Sequence, residues 1–441
     1  MTGKHVWLAR TGVGALLLVT LAAALCAAIL LPYFLARWWV NIPLLAVLSI
    51  ASFFVILWLG ARLCARLWGA NAGARFATQA TGVLTIAFAI SLYWLVLKPT
   101  PDPGKPTPYE NTRYWQLPTG SRIAYSEFDP PPGMAVNPDP IVYVHGGPGA
   151  RQFHFDQSIY GSLAKEGFRV FLYDQAGSGL SDFLPHIRDY TIGRAVEDLE
   201  AVRKEIGADK MILIGHSFGS TLAASYMAKH PGHVAKAIFH SPGHIWYLHN
   251  DQIDVSRTDM TEEGVPSLRL LAAFLLTDRN PDAAQNLVSQ REAEGLLAPV
   301  LHDEQGVLVC KGDSKKLPNL TQSAHENPGF NGYLVQYLFP QTLLPAGDPH
   351  EALRKDHTPA ILLYPECNYV PWSGAVDYRK TMPNLKIYFI PHAGHYIQFE
   401  QPDLMRRIMV AFLLDQPDVI PPVEGDEDPR LKTSGPATAQ K

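Results

Sequence analysis

The chain has 441 residues, which is too long for one ordinary hydrophobic core, so at least two structural units are expected. Its formal net charge is only −4, and Lys and Arg form no basic stripe in the sequence, which argues against nucleic acid as a partner. Hydrophobic residues make up 47% of the chain, and their excess is concentrated near the N-terminus.

Three segments near the N-terminus lack charged residues: Thr11 to Ala36, Trp38 to Ala61 and Phe76 to Leu97. A bilayer core of about 30 Å needs roughly 20 apolar residues in a helix, and a helix satisfies its backbone polar groups internally. The sequence therefore predicts a three-span transmembrane region over residues 1–98, with the lipid bilayer as its partner. The alternative is a first segment that is cleaved as a signal peptide or lipidated at Cys26, which its length and flanking residues disfavour.

Positive charges that flank the three segments predict the orientation of the chain in the membrane. One side has Lys4, Arg10, Arg62, Arg66 and Arg75, whereas the other side has Arg37, Lys98 and Lys105. Lys and Arg are enriched on the cytoplasmic side of membrane proteins. We therefore expect a cytoplasmic N-terminus, and three crossings then place the remaining chain outside the cytoplasm.

The rest of the chain divides by composition and by hydrophobic pattern. Residues 99–110 are rich in proline and predict a stiff linker, whereas residues 417–441 are polar and predict a disordered tail. Strands and helices alternate over residues 111–242 and again over 351–416, which indicates an α/β domain with a mainly parallel, eight-stranded sheet. The interval 243–350 is mostly helical in pattern, and we expect it to form a cap inserted into this domain.

A G-x-S-x-G pattern, Gly215-His216-Ser217-Phe218-Gly219, stands between the apolar strand MILI and a helical segment. In this context the pattern is the nucleophile elbow, a tight turn that exposes a serine hydroxyl above the sheet. The flanking glycines avoid clashes that larger side chains would make in such a turn. We therefore predict Ser217 as the nucleophile, and a coincidental turn is the alternative.

The second motif, HGGPG at residues 145–149, directly follows the predicted strand IVYV. Glycines after a strand leave backbone N–H groups uncovered by side chains, and such donors stabilise the oxyanion of an acyl-transfer intermediate. The N–H groups of Gly147 and Phe218 are the predicted oxyanion hole. The alternative for this motif is an ordinary Gly-Pro loop.

His395 is the predicted general base, because it follows a late strand and an imidazole can both accept and return a proton near neutral pH. His392 is the alternative base. The two residues also form an H-x-x-H pattern, and His240, His244 and His249 lie close together in the sequence. Acidic or thiol partners at ligand spacing do not accompany them. No metal and no cofactor are therefore predicted.

Together these motifs resemble the proline iminopeptidase branch of the α/β-hydrolase superfamily. HGGPG is the most specific part, and YDQAGSGLSD at residues 173–182 is similar to another segment of that branch, with Ala176 in place of its arginine. The resemblance covers roughly residues 111–242 and 358–415. It implies the α/β-hydrolase fold with a helical cap, and a small-molecule or short peptide substrate. The paired tryptophans that accompany peptide binding in that branch are not evident in this chain.

The resemblance also implies a triad in the order Ser, Asp, His, and it places Asn368 where the acid belongs, within YPECNYVPW at residues 364–372. Three alternatives remain open. Asn368 orients His395 in a slow triad, Glu366 reaches His395 and supplies the charge, or the site is degenerate and serves binding only.

The sequence therefore predicts a membrane-anchored serine hydrolase that cleaves a small amide or ester through an acyl-enzyme, as an aminopeptidase or an esterase. The alternative is a weakened or inactive hydrolase fold that serves as a membrane-tethered binding module. Cys310 and Cys367 are expected to be two buried free thiols. A disulfide between them is the alternative, because an extracytoplasmic location permits one.

Overall fold

The computed structural model describes residues 3–67, 73–246, 256–258, 266–303, 305–313, 329, 331, 333 and 347–433. The chain divides into two compact units. The N-terminal unit consists of Met1–Pro101 and Pro266–Glu292. The second unit consists of Asp102–Val265 and Ala293–Lys441, and we call it the hydrolase unit after the function that its sequence predicts. Part of the interval predicted as a cap therefore belongs to the N-terminal unit, and the extent of a cap remains a prediction.

The strands are β1 Thr112–Gln116, β2 Arg122–Phe128, β3 Ile141–Val144, β4 Val170–Tyr173, β5 Met211–His216, β6 Val234–His240, β7 Ala360–Pro365 and β8 Leu385–Ile390. The α-helices are α1 Gly3–Leu35, α2 Ile42–Leu67, α3 Gly73–Leu92, α4 His154–Tyr160, α5 Ile192–Ile206, α6 Phe218–Lys229, α7 Leu268–Thr277, α8 Pro281–Leu287, α9 Gln290–Asp303, α10 His350–Leu353, α11 Trp372–Thr381, α12 Ile397–Glu400, α13 Pro402–Leu413 and α14 Arg430–Thr433. A π-helical turn, Tyr93–Leu97, follows α3, and short 3₁₀ turns cover Gly161–Glu166, Ile187–Asp189 and Gln305–Leu308.

The N-terminal unit contains three helices that are long and apolar enough to cross a membrane: Gly14–Leu35, Ile42–Leu67 and Arg75–Leu97. Their positions agree with the three charge-free segments of the sequence. Most of their large apolar side chains, such as Leu18 and Phe76, are exposed on the surface of the unit. This distribution suits a helix bundle whose outer surface faces lipid.

Pro32 lies inside α1 and has no N–H to donate to Ala28 O, the acceptor one turn earlier. Ser49 of α2 compensates, because its hydroxyl donates to Ala28 O over 2.7 Å at a buried position. An unpaired carbonyl would be costly in an apolar environment. This contact therefore lets α1 carry a proline and also ties α1 to α2.

The hydrolase unit is built on one eight-stranded sheet in the order β1-β2-β4-β3-β5-β6-β7-β8. β1 and β2 form an antiparallel hairpin, and β2 pairs antiparallel with β4, whereas all other neighbours are parallel. The parallel strands read as continuous apolar runs because both of their faces are buried. The predicted α/β fold and strand count are confirmed, and parallel order brings the loops after β3, β5, β7 and β8 to one edge of the sheet.

Helix α5 shows how local signals in the sequence fix an element of the hydrolase unit. Thr191 caps the N-terminus by accepting a hydrogen bond from Arg194 N, and Gly207 ends the helix with a φ of 73°. Between these caps, Val196 and Val202 belong to the buried stripe that helical spacing predicts. The helix therefore covers one face of the sheet with its apolar side.

The structure corrects two expectations about the C-terminal half of the chain. Cys310 and Cys367 form a disulfide, so the preference for two free thiols is wrong. Residues 417–433, part of the predicted disordered tail, make specific contacts: Trp372 Nε1 donates to Asp426 O over 2.9 Å, for example. Composition favours disorder there, but long-range contacts override it, and residues 434–441 lie outside the described residues.

Candidate active site

The turn between β5 and α6 holds Ser217 at a positive φ of 53° with a ψ of −120°, a combination that residues with a side chain rarely adopt. A Cβ added to Gly219 would lie 2.0 Å from Val144 O, and one added to Gly215 would lie 2.6 Å from Gly219 O. Only glycine fits at either position, so the turn is set by steric exclusion. The predicted sharp turn at Ser217 is therefore present, and such strain is typical of functional positions.

The loop after β3 passes directly over this turn. A Cβ on Gly146 would lie 3.0 Å from Ser217 Cβ, and Gly147 has a φ of 122°, which a residue with a side chain rarely adopts. Gln175 holds the loop: its backbone N–H donates to His145 Nε2 over 2.9 Å, and its side-chain amide donates to His145 O over 2.8 Å. The DQAG segment therefore positions the HGGPG loop.

The predicted oxyanion donors come from this loop and from the start of α6. Phe218 is the first residue of α6, where a backbone N–H has no acceptor within the helix. Gly147, at a positive φ, directly follows Gly146, the glycine that lies against the Ser217 turn. Backbone donors at a helix N-terminus, next to a glycine loop, are suited to an anionic oxygen.

The base and the predicted acid meet across two loops of the same sheet edge. His395 Nδ1 lies 2.9 Å from Asn368 Oδ1, and both side chains are buried. Because an amide oxygen can only accept, Nδ1 carries the proton and Nε2 remains as the acceptor. His395 also neighbours the elbow, because His216 Nε2 lies 3.3 Å from its carbonyl oxygen.

Glu366, the alternative acid, has other partners. Its Oε2 accepts a hydrogen bond from His392 N over 2.9 Å, and its Oε1 lies 3.9 Å from Arg257 Nη1. The His392 side chain, the alternative base, is 86% exposed and lies beside Glu366. The geometry therefore pairs Asn368 with His395. Glu366 instead binds the backbone N–H group of His392.

Three long-range contacts that sequence reasoning missed hold the loop that carries Asn368. The disulfide from Cys310 attaches to Cys367, the neighbouring residue, whose N–H donates to Ala393 O over 2.9 Å. From the C-terminal segment, Arg430 Nη1 donates to Asn368 O over 3.4 Å. Only the position of Cys367 beside Asn368 was a visible signal in the sequence.

Buried histidines surround the nucleophile turn. Burial lowers the pKa of His145 and of His216 to about 4, and it lowers the pKa of His240 well below its ordinary value. The ring centroid of His216 lies 4.6 Å from that of His240 and 5.1 Å from that of His395. These rings are therefore neutral near pH 7, and the site rests on polar groups that carry no charge.

Burial also lowers the pKa of His395 well below its ordinary value, and His216 contributes in the same direction. The imidazole is thus a neutral base ready to accept a proton. The Asn368 amide orients this ring, but it supplies no negative charge to stabilise the imidazolium that would form. The arrangement can perform general base catalysis, but it lacks the carboxylate charge that usually stabilises the imidazolium.

One group of side chains has the composition of a metal site: Glu200, His230 and His233. Glu200 already accepts hydrogen bonds from Arg203 and from Tyr226. The guanidinium of Arg203 neutralises the carboxylate and would repel a cation, so this group is best described as an ion-pair network. Of the histidines considered as ligands from the sequence, His249 lies outside the described residues.

Comparisons with known proteins agree with this architecture. A family described as having the alpha/beta hydrolase fold matches residues 139–308. Proline iminopeptidase of Heyndrickxia coagulans is 37% identical over 126 residues, which are 28% of this chain and 41% of that protein. Proline iminopeptidase of Saccharolobus solfataricus is 42% identical over 91 residues, which are 20% of this chain and 29% of that protein. The chain thus aligns with less than half of the length of these relatives.

A solved structure gives a wider match at lower identity. An esterase from Thermogutta terrifontis superposes with a TM-score of 0.50 and 18% sequence identity, over 69% of this chain and 98% of the esterase. At this identity the similarity concerns the fold alone. The superposed region is longer than the segments of this chain that align with the iminopeptidases.

Proposed function

The chain carries an α/β-hydrolase domain that resembles the proline iminopeptidase branch, and we propose that it is a membrane-anchored serine hydrolase that cleaves a small amide or ester. The observation that carries the proposal is the pairing of His395 with Asn368 over 2.9 Å, beside a strained turn that presents Ser217. Relatives named proline iminopeptidase favour an N-terminal prolyl or other small aminoacyl substrate, and an ester is the second choice.

The proposed reaction uses the residues in the order that their positions suggest. His395 Nε2 takes the proton from Ser217 Oγ as this oxygen forms a bond to the substrate carbonyl carbon. The N–H groups of Gly147 and Phe218 donate to the resulting oxyanion. His395 then returns the proton to the leaving amine or alcohol, and an acyl-enzyme remains. Water, deprotonated by the same imidazole, hydrolyses this ester and releases Ser217.

Membrane anchoring and orientation are part of the proposal. The three apolar helices have the length of bilayer spans. The positive charges favour a cytoplasmic N-terminus, and the disulfide between Cys310 and Cys367 favours an oxidising compartment for the hydrolase unit. In right-side-out membrane vesicles, added protease should remove the hydrolase unit. Protection in intact vesicles, with digestion after detergent, would reverse the orientation.

A second candidate function is a membrane-tethered binding module without catalysis. The observation that favours it is the neutral Asn368, which leaves the imidazolium without the charge that a triad carboxylate provides. This module would hold a small ligand at the Ser217 site and would leave the ligand intact.

A fluorophosphonate probe separates the two functions, because only an activated serine reacts with it. We expect the folded, full-length protein to be labelled at Ser217, and Ser217→Ala to abolish both labelling and aryl ester hydrolysis. Ser225→Ala, on the same helix α6, is the matched control and should retain both. Wild-type protein that is folded yet stays unlabelled would support the binding module.

A further inference from the structure

The hairpin formed by α7 and α8 packs on one end of the three N-terminal helices. Asn280 Nδ2 donates to Ala36 O over 2.9 Å, just after the end of α1. Asn286 Nδ2 donates to Val40 O over 3.0 Å, just before the start of α2. Both acceptors belong to the short connection between α1 and α2, so the hairpin is fixed at the end of the bundle where that connection lies.

A buried arginine fixes the hairpin to the third helix at the same end. Arg269 is 4% exposed, and its Nη1 donates to Val96 O over 2.5 Å in the π-helical turn. Its Nε donates to Glu292 Oε1 over 2.7 Å, and this carboxylate also accepts from Thr100 N over 2.6 Å. The charge is thus paired and hydrogen-bonded, as a buried charge in apolar surroundings requires.

One face of α7 is apolar and exposed. Leu268, Leu271 and Leu275 have the spacing of a single helical face, and they are 53%, 42% and 49% exposed. Trp38 and Trp94, at the same end of the bundle, are also exposed, as aromatic residues at a membrane surface are. The leucine face therefore continues an apolar surface that suits the interfacial region of a bilayer.

Between α7 and the three N-terminal helices lies an open cavity of about 190 Å³. Its lining is almost entirely apolar; Ile29, Pro32, Leu45, Val96, Leu275 and Leu276 contribute to it. The hydroxyl of Ser49, which also lines it, already donates to Ala28 O. The lining therefore favours an alkyl chain over a polar ligand.

We propose that this cavity takes an acyl chain of a bilayer lipid, with the leucine face of α7 in the same leaflet. The proposal rests on the membrane anchoring proposed above. Tyr33 lines the cavity, and the Arg279 guanidinium lies 4.4 Å from the centroid of its ring. A cation at this position is available to the phosphate of the lipid whose chain enters the cavity. The hairpin is then a membrane element that holds a lipid.

Photolabelling of the full-length protein tests this proposal. The protein is reconstituted into phosphatidylcholine vesicles that contain a phospholipid with a diazirine on its acyl chain, and modified peptides are identified after irradiation. We expect lipid adducts on α7 as well as on the three N-terminal helices. Ala272→Trp, which fills the cavity from α7, should remove the adducts from Leu276, a cavity-lining residue, and leave those on the exposed Leu271. Ala87→Trp, on the exposed face of α3, is the matched control and should retain them.

The outcomes separate this proposal from the anchoring on which it rests. Adducts on the three helices but none on α7 would overturn the lipid site and leave the anchoring intact. Equal labelling of Leu276 in Ala272→Trp and wild type would place the chain outside the cavity and overturn the proposal. Extraction of the whole protein by alkaline carbonate, without adducts, would contradict the anchoring itself. Circular dichroism establishes that each variant is folded.

Discussion

The turn that carries Ser217 and the loop that carries Asn368 follow strands β5 and β7 of the same sheet, but they are held in different ways. The Ser217 turn is fixed by its own neighbours, because Gly215 and Gly219 leave no space for a Cβ. The Asn368 loop is fixed by distant parts of the chain, through a disulfide to Cys310 and a hydrogen bond from Arg430. A nucleophile can thus be built locally, whereas the support for the base is assembled from several segments.

The two regions also differ in charge. In the proposed site, the N–H groups of Gly147 and Phe218 are the positively polarised donors for an oxyanion. At the Asn368 loop, a neutral amide stands where a carboxylate would stabilise the imidazolium. In the proposed enzyme, Ser217 is held by a strained turn whereas its base lacks a charged partner, and the following predictions test this difference.

The largest effect is expected from Asn368→Asp, which supplies the missing charge at 2.9 Å from His395 Nδ1. Loss of this charge from a triad lowers kcat by about 10⁴. We therefore expect Asn368→Asp to raise kcat for an aryl ester by about 10²-fold, with ~10⁴ as the upper limit. Asn384→Asp, at an exposed position, introduces the same charge elsewhere and should leave kcat unchanged.

The pH dependence of kcat/KM provides a second measure of the same change. Burial holds the pKa of His395 below its ordinary value, so the wild-type base stays neutral and kcat/KM should persist at pH values below 6.5. A carboxylate at position 368 raises this pKa, and the acid limb of the profile should move to higher pH. If neither kcat nor the acid limb changes, the support of His395 does not limit this site.

The same contrast explains how far the sequence could predict the structure. The eight strands and the sharp turn at Ser217 are encoded by consecutive residues and by hydrophobic pattern, so the sequence predicts both, whereas the catalytic roles of Ser217 and of the HGGPG loop stay predictions. The contact between Arg430 and Asn368 spans 62 residues, and the disulfide spans 57. No periodicity encodes such pairs. The sequence could not decide whether Glu366 or Asn368 contacts His395. The two residues belong to one loop, and only the structure shows the direction of each side chain.

A smaller effect is expected on stability, and it concerns the buried histidines around the Ser217 turn. The pKa of His145 and of His216 is about 4 in the folded protein and about 6.5 in an unfolded chain. Between these values the unfolded chain binds more protons, so the free energy of unfolding falls as the pH falls. Each ring should contribute about 1.4 kcal/mol per pH unit in this window.

Denaturant titrations between pH 7 and pH 5 test the contribution of the histidines with His240→Leu. Both ring nitrogens of His240 lack a hydrogen-bond partner among the described residues, and the side chain is fully buried. Its replacement should therefore reduce the pH dependence and cost little stability at pH 7. His357→Gln, at an exposed position, is the control. A wild-type stability that is constant down to pH 5 would contradict the prediction.

The smallest effect is expected from Glu366→Gln, and it tests whether the two candidate acids are distinct. Glu366 Oε2 accepts a hydrogen bond from His392 N, and a glutamine oxygen can accept the same bond. We therefore expect kcat/KM for an aryl ester to change by no more than about twofold, since the hydrogen bond to His392 N is kept and only a long ion pair, with Glu366 Oε1 3.9 Å from Arg257 Nη1, is lost. A fall as large as that caused by Ser217→Ala would mean that Glu366 turns toward His395 during catalysis. The base would then have a charged partner, and the contrast between the Ser217 turn and the Asn368 loop would no longer hold.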